Sequence, residues 1–251
     1  MNHFLRKQLL SLIQKSPFEE AIRDLSLRFS GSRGAAYDLM TFEILKRCLR
    51  RDSNCIDVGA YRGDILRRML KYAPDGIITA IEPVRENFDY LVKKYPAIRV
   101  CNLALSDTTG TQTFYHVLGR PARSGLQKQD YPDPNETVRE TEVAIDTLDN
   151  LIPQLQQVDF IKIDVEGAEL NVLRGGLALI KRCNPVIVFE HSEQDSRKFA
   201  VTSEQLRLFL MDDCQLQIST LTGWLAGDPS LSPEGFHQAR QQQGEFYFIA
   251  H

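Results

Sequence analysis

The sequence has few cysteines, no long apolar run and no excess of positive charge, and each absence excludes a class of protein. Its five cysteines are scattered without C-x-x-C spacing, so we expect reduced thiols in a cytoplasmic protein, with no zinc site or disulfide framework. No apolar run approaches the roughly 20 residues that span a bilayer. The N-terminal residues are too polar for a signal peptide, and we expect no membrane partner.

The charges of the chain are nearly balanced. It has 30 lysines and arginines against 33 acidic residues, a net charge of −3. Proteins that bind the phosphates of nucleic acids electrostatically have a clear excess of lysine and arginine, so we expect no nucleic-acid partner. With 251 residues and 43% hydrophobic content, the chain can bury the core of one large domain with an appendage. A homo-oligomer remains open.

The periodicity of apolar residues divides the chain in two. Residues 1–50 have helical spacing and predict an N-terminal helical cap, with its third helix over about residues 36–50. Residues 51–251 alternate short apolar strands with helices, which predicts an α/β domain with a mainly parallel sheet and helices on both faces. Residues 215–220 and 245–250 are expected to be strands that pair antiparallel at one edge.

A long polar insert interrupts this alternation at residues 117–140. Two short strands are predicted beside it, over residues 113–117 and 142–145. Long segments of this kind are lids, binding loops or disordered. The insert is interpreted either as a lid that closes over a substrate, with His116, Arg123 and Tyr131 in or beside it, or as a disordered polar loop.

Three strand ends carry residues typical of a nucleoside site. After the first strand, DVGAYRG places Gly59 and Gly63 where the backbone turns and approaches a ligand; the spacing is neither G-x-G-x-x-G nor a phosphate loop. The second strand ends in Glu82, placed to bind ribose hydroxyls. The third is followed by NLALSD from Asn102, a candidate wall for an adenine. Ligands of open α/β sheets bind at such strand ends.

An acidic motif follows a later strand, at residues 159–169, which read DFIKIDVEGAE. Asp164, Glu166 and Glu169 lie within six residues, and charges beside a buried strand need partners, a ligand or a reaction. The alternative is a helix with an acidic first turn, which the helix dipole favours. Glu190 and His191 end the next strand, so that these side chains can converge with Asp164 and Glu166 on one pocket.

The motifs DVGAYRGD, AIEP, NLALSD and DFIKIDVEGAE, in this order, resemble those of FkbM-type S-adenosylmethionine-dependent methyltransferases over about residues 36–192. The resemblance implies a class I methyltransferase fold, a Rossmann-like seven-stranded sheet with an antiparallel final strand. It implies an O-methyltransferase for a hydroxyl of a small molecule such as a natural product or a sugar. Tyr61 departs from the asparagine common in the family. The cofactor residues implied are Asp57, Gly59, Ala60, Tyr61, Gly63, Glu82, Pro83, Asn102, Ala104 and Asp164.

The candidate catalytic residues are Asp164, Glu166 and His191. An alcohol acceptor benefits from a base, and we predict His191 or Glu166 for that role, with Asp164 positioning the cofactor amine or the acceptor. The alternative for His191 is a solvated loop residue. A divalent cation such as Mg²⁺ on Asp164, Glu190 and His191 is a less favoured alternative. Lys162 is predicted to be the charge partner of Asp164.

Two rival functions stay open at this stage. The first is a non-catalytic module that binds S-adenosylmethionine, which the acidic motif makes less attractive. The second is a nicotinamide-dependent oxidoreductase, against which the glycine spacing argues.

Overall fold

We describe the fold from a computed structural model that covers residues 31–130, 135–152 and 156–251, together with Phe29. The helices predicted before residue 29, and Tyr131 of the insert, lie outside these described residues. In chain order, the elements are α1 (Arg33–Cys48), β1 (Cys55–Val58), α2 (Asp64–Tyr72), β2 (Ile78–Ile81), α3 (Arg85–Lys94), β3 (Arg99–Cys101), β4 (Ala104–Leu105), β5 (Gly110–Val117), β6 (Val138–Asp146), α4 (Leu148–Leu151), β7 (Phe160–Ile163), α5 (Glu169–Arg174), α6 (Leu177–Cys183), β8 (Val186–Glu190), α7 (Glu193–Ser196), α8 (Ser203–Leu208), β9 (Ile218–Thr220), α9 (Leu221–Ala226), α10 (Pro233–Gln241) and β10 (Tyr247–Ala250).

A seven-stranded sheet forms the centre of the molecule, in the order β3-β2-β1-β7-β8-β10-β9. The first five of these strands pair in parallel. β10 is antiparallel to β8 on one side and to β9 on the other. The predicted sheet with an antiparallel final strand is therefore confirmed. α9 and α10, which connect β9 to β10, were not predicted.

Strand side chains alternate between two apolar clusters, one on each face of the sheet. Ile56 and Val58 of β1 pack with residues of α5, α6, α8 and α10. Cys55 belongs to the other cluster, with residues of α1, α2, α3 and α9. We call this second side the α1 face. By the same alternation, Asp57 lies on the α1 face.

Helix α1 is the part of the predicted N-terminal cap that the structure describes. The Ser32 hydroxyl accepts a hydrogen bond from the N–H of Ala35 at 3.2 Å and so caps the helix. Ile44 and Leu45 of α1 have no exposed surface. The helix predicted over residues 36–50 thus exists, and it packs into the core of the main domain.

The segment around the predicted insert forms a second, three-stranded sheet in the order β4-β6-β5. The two predicted strands are confirmed, and both are longer than expected, because the whole of β5 pairs with residues 138–145 of β6. Residues 121–123 form a 3₁₀ turn. Leu126 is buried with Phe114 in a small apolar cluster. For the described part of the insert, the interpretation as a disordered loop is wrong.

Within the three described stretches of the chain, no helix combines the length and the apolar character that crossing a membrane requires.

Candidate active site

A cavity of about 380 Å³ opens at the carboxyl ends of β1, β2 and β7. Parallel strands end at the same edge of a sheet, so the loops after them converge there. Of the ten residues that the resemblance assigned to the cofactor, the cavity is lined by Asp57, Gly59, Ala60, Tyr61, Glu82, Pro83, Ala104 and Asp164.

The two remaining residues, Gly63 and Asn102, are not among those that line the cavity. Gly63 precedes the first residue of α2 as its N-cap. The Asn102 side-chain amide donates hydrogen bonds to the carbonyl oxygens of Glu82 at 2.9 Å and Pro83 at 3.0 Å. Asn102 therefore fixes the turn after β2, because its donors are used on the backbone.

Asp57 is a buried carboxylate with free acceptor capacity. It is 1% exposed, and neither of its carboxylate oxygens has a hydrogen-bond partner among the described residues. Burial raises the pKa of Asp57 to about 6, a rise that Lys162 opposes and Asp164 adds to. Buried polar atoms are rarely left unpaired. A cationic donor such as the amino group of a methionine moiety fits this position.

Glu82 is held by donors from its own surroundings. One carboxylate oxygen accepts the N–H of Tyr61 at 2.8 Å, and the other accepts the N–H of Val84 at 2.9 Å and the amide of Asn87 at 3.3 Å. Burial raises its pKa to about 7, against the lowering effect of these bonds. The carboxylate is rigid, and it retains lone pairs toward the cavity.

The turn after β1 passes very close to the end of β7. A Cβ atom on Gly59 would lie 2.0 Å from the backbone oxygen of Asp164, and Gly59 has a φ of +79°. Tyr61 also has a positive φ, of 46°, a conformation that asparagine adopts more readily than tyrosine. The departure from the family pattern at Tyr61 thus falls on a strained backbone, with the ring 41% exposed.

Three acids meet at the edge of the cavity. One carboxylate oxygen each of Asp164, Glu166 and Glu190 lies within 4.8 Å of the others. Lys162 Nζ lies 2.6 Å from Asp164 Oδ2, which confirms the predicted charge pair. The Tyr247 hydroxyl donates to the same oxygen at 2.6 Å. Burial alone would raise the pKa of Asp164, but Lys162 and these hydrogen bonds lower it to about 2.

The other two acids of this cluster have strongly raised pKa values. Burial raises the pKa of Glu166 to about 9, with further contributions from the negative charges of Asp164, Glu169 and Asp195. Burial, followed by the charge of Asp164, raises the pKa of Glu190 well above its usual value. A positive charge in the cavity would favour their ionised forms. The cluster is therefore suited to a cationic ligand.

His191 is the predicted site residue that does not join this cluster. Successive strand residues point to opposite faces, so His191 leaves the α1 face that Glu190 occupies. Its ring is 2% exposed, and its two nitrogens bond to Ser203 Oγ at 2.7 Å and Ser196 Oγ at 3.2 Å. Asp164, Glu166 and Glu190 line the cavity, as expected, whereas His191 lines an adjoining cleft, together with Glu166 and Glu190. His191 is also not solvated, and the cation set of Asp164, Glu190 and His191 is not assembled.

Several cavity residues were missed from the sequence. Tyr247 stands directly opposite Glu190 in the pairing of β10 with β8, a register that sequence pattern does not give. Asp38, on α1, lines the cavity, and burial raises its pKa to about 6. Asp38 lies four residues before Phe42 on an amphipathic helix, and this position alone does not predict that it lines a cavity. Phe114 and Leu126 add an apolar wall.

A polar cleft adjoins the cavity and shares Glu166, Glu190 and Phe246 with it. Arg123 of the insert lines this cleft. His116 lies instead in a separate groove on the second sheet, beside Arg139.

Comparison with known families agrees with this geometry. A family model described as the methyltransferase FkbM domain matches residues 57–217. The chain belongs to the FkbM methyltransferase family. A curated relative, methyltransferase 1 of Beauveria bassiana (strain ARSEF 2860), is 28% identical in an alignment 147 residues long that covers 49% of this chain and 58% of the relative. The chain thus spans little more than half the length of that relative.

A solved structure from the same family shows the same fold. The FkbM methyltransferase from Methylobacillus flagellatus KT has a TM-score of 0.50 at 16% identity, over 81% of this chain and 44% of that one. The plantazolicin methyltransferase BpumL, solved with a substrate analogue and SAH, has a TM-score of 0.46 at 12% identity, over 98% of this chain and 94% of that one. This FkbM protein has the class I methyltransferase fold, as the motifs implied.

Proposed function

We propose that this FkbM protein is an S-adenosylmethionine-dependent O-methyltransferase that acts on a hydroxyl of a small molecule. The observation that carries the proposal is the buried Asp57 carboxylate, which lines the cavity with both oxygens free. The family assignment over residues 57–217 supports the same reaction class.

The cofactor residues divide into polar and apolar contacts. Asp57 would accept hydrogen bonds from the amino group, and Glu82 would accept them from the ribose hydroxyls, because both carboxylates line the cavity. Ala104 and Leu105 would supply part of an apolar wall for the adenine ring of the cofactor. When bound, S-adenosylmethionine supplies an activated methyl group on a positively charged sulfur.

Glu166 is the group that we assign as general base. It lines both the cavity and the polar cleft, so that an acceptor in the cleft can reach it. In the free protein it holds a proton at neutral pH, since its pKa is about 9. A neighbouring positive charge favours the carboxylate, which can then take the proton of an acceptor hydroxyl. Asp164, fixed by Lys162 and Tyr247, positions the cofactor amine or the acceptor.

The insert forms one wall of this site. Pro121, Ser124 and Leu126 line the cavity, and Arg123 lines the cleft. We assign the insert the role of a lid that keeps water from the acceptor. Replacing Arg123 with alanine should lower turnover of the acceptor more than affinity for the cofactor, because Arg123 faces only the cleft.

The test begins with calorimetric titration of S-adenosylhomocysteine, with NAD in parallel. We expect one-site binding of S-adenosylhomocysteine, no binding of NAD, and weaker binding by Asp57→Asn. The exposed Asp213→Asn provides the matched control. Methyl transfer to a panel of hydroxylated small molecules then follows, with Glu166→Gln expected to bind cofactor but to lose turnover.

Absence of S-adenosylhomocysteine binding by the folded protein would refute the proposal. Tight binding without transfer to any acceptor would favour a non-catalytic cofactor-binding module. Binding of NAD instead would point to an oxidoreductase.

A further inference from the structure

We propose that Glu169 is a positioning residue that fixes the turn carrying Glu166 at the edge of the cavity. This inference rests on the proposed function, in which Glu166 is the general base. Glu169 is the first residue of α5 and is 1% exposed. It belongs to neither the lining of the cavity nor that of the polar cleft. Glu169 can therefore act on methyl transfer through the backbone that it holds, or through its charge, which raises the pKa of Glu166; Glu169→Gln removes the charge alone.

The Glu169 side chain bonds to the backbone on both sides of Glu166. Its Oε1 accepts the N–H of Val165 at 3.3 Å and the N–H of Gly167 at 3.1 Å. A single carboxylate oxygen thus joins the N–H groups of the two residues that flank Glu166. Burial raises the pKa of Glu169 to about 7, against the lowering effect of these two bonds, so the two hydrogen bonds close the turn without requiring a full negative charge.

The turn needs such a contact because its backbone is strained. Glu166 has a φ of 55° and Gly167 a φ of 101°. A residue with a side chain stays in this left-handed region only where its surroundings hold it there. Gly167 is also pressed against α7, where an added Cβ would lie 2.6 Å from the backbone carbon and oxygen of Asp195.

A second contact holds the same turn from the insert. The Gln129 side-chain amide donates to the carbonyl oxygen of Glu166 at 3.0 Å, and its oxygen accepts from Lys198 Nζ at 2.6 Å. With its backbone held on both sides, Glu166 keeps its carboxyl within 4.8 Å of those of Asp164 and Glu190. The position of the Glu166 carboxyl group thus depends on two side chains, that of Glu169 inside the domain and that of Gln129 in the insert.

Two substitutions of Glu169 distinguish the effect of its accepting oxygen from the effect of its size. Glu169→Gln keeps an oxygen at the Oε1 position, whereas Glu169→Leu removes every acceptor at nearly the same size. We expect Glu169→Leu to lower kcat between about tenfold and a hundredfold, because misplacement of a reacting group by about 1 Å has an effect of this order. KM for the cofactor should change by less than about threefold in either variant, and Glu169→Gln should keep most of kcat.

Nuclear magnetic resonance tests the contact without any need for turnover. Labelling with ¹³C′-glutamate and ¹⁵N-glycine selects glycines that follow a glutamate, which are Gly167 and Gly235. Glu234→Gln removes the Gly235 signal, and it also serves as the acid-to-amide control on a surface helix. The Gly167 amide signal should shift upfield and exchange faster with solvent in Glu169→Leu, and should move less in Glu169→Gln.

Each outcome bears on the inference separately from the proposed function. A Gly167 signal unchanged in Glu169→Leu, or a kcat for that variant within about threefold of wild type, would overturn the positioning role. Parallel losses of cofactor affinity and kcat would also overturn it, since they indicate general damage. If the wild-type protein methylates no acceptor, the proposed function fails, and the Gly167 signal still decides whether Glu169 holds the turn.

Discussion

The hydroxyl of Tyr247 donates a 2.6 Å hydrogen bond to Asp164 Oδ2. Tyr247 comes from the antiparallel strand β10, and Asp164 follows β7, so that residues 83 positions apart meet across β8. Lys162 lies against the same oxygen at 2.6 Å. Asp164 is consequently ionised over the whole physiological range, with a pKa lowered to about 2, and its orientation depends on two donors.

Tyr247→Phe should lower kcat by roughly tenfold, since a hydrogen bond to a charged group contributes about 1.5–3 kcal/mol. Lys162 still pairs with Asp164 in this variant, so the loss should be smaller than for Asp164→Asn. Steady-state kinetics of methyl transfer measure the decrease in kcat of each variant. Tyr72→Phe, outside the cavity, is the control, and equal activity of Tyr247→Phe and wild type would contradict the role of this bond.

Affinity for S-adenosylmethionine, relative to S-adenosylhomocysteine, should rise as the pH increases from 6 to 8. Burial raises the pKa of Glu166 to about 9, and only its ionised carboxylate attracts the sulfonium charge that distinguishes the two ligands. The ratio should increase up to about tenfold per pH unit for each proton released. Calorimetry in two buffers of different ionisation enthalpy counts those protons, and a ratio independent of pH would contradict the prediction.

His191 should stabilise the fold at neutral pH and lose this effect in acid. Burial lowers its pKa from 6.5 to about 4, so the folded state favours the neutral ring and the unfolded state takes up the proton first. Its contribution is complete above pH 6.5 and declines as the pH falls toward 4, by up to about 3 kcal/mol.

Urea denaturation of wild type and His191→Gln measures this contribution. The variant should be less stable by about 1–3 kcal/mol at pH 7.5, and the difference should shrink at pH 5. A constant difference would show that His191 does not titrate in this range.

Gly59→Ala should destabilise the protein more than Gly227→Ala. The two glycines have nearly equal φ values, +79° and +81°, but an added Cβ meets the backbone of Asp164 at Gly59 and nothing within 4 Å at Gly227. Gly227→Ala therefore reports backbone strain alone, about 1 kcal/mol. Thermal denaturation compares them, and similar melting temperatures would mean that the approach of the two strand ends is easily relaxed.

Methyl transfer should be insensitive to EDTA. Asp164 Oδ2 already accepts hydrogen bonds from Lys162 and Tyr247. His191 is bonded to two serines. Activity lost in EDTA and restored by Mg²⁺ would contradict this prediction.

The sequence predicted the sheet well because apolar strands and glycine turns are local signals. It placed Asp164 and Glu190 together correctly, since both follow strands of the parallel sheet at one edge. Alternation along β8 already separates His191 from Glu190, so this part of the arrangement is encoded locally. The roles of Tyr247 and Asn102 could not be predicted from the sequence. The role of Tyr247 depends on the register of β10, and the role of Asn102 depends on which backbone carbonyl groups its side-chain amide contacts.

The order of strands in the sheet also bears on how the protein is made. β9 is synthesised before β10, yet among the described strands it pairs with β10 alone. The facing edges of β8 and β9 can therefore be paired only after residues 247–250 have been synthesised and lie between them. The same strand places the Tyr247 hydroxyl against Asp164. Closure of the sheet and the orientation of Asp164 thus depend on the same four residues.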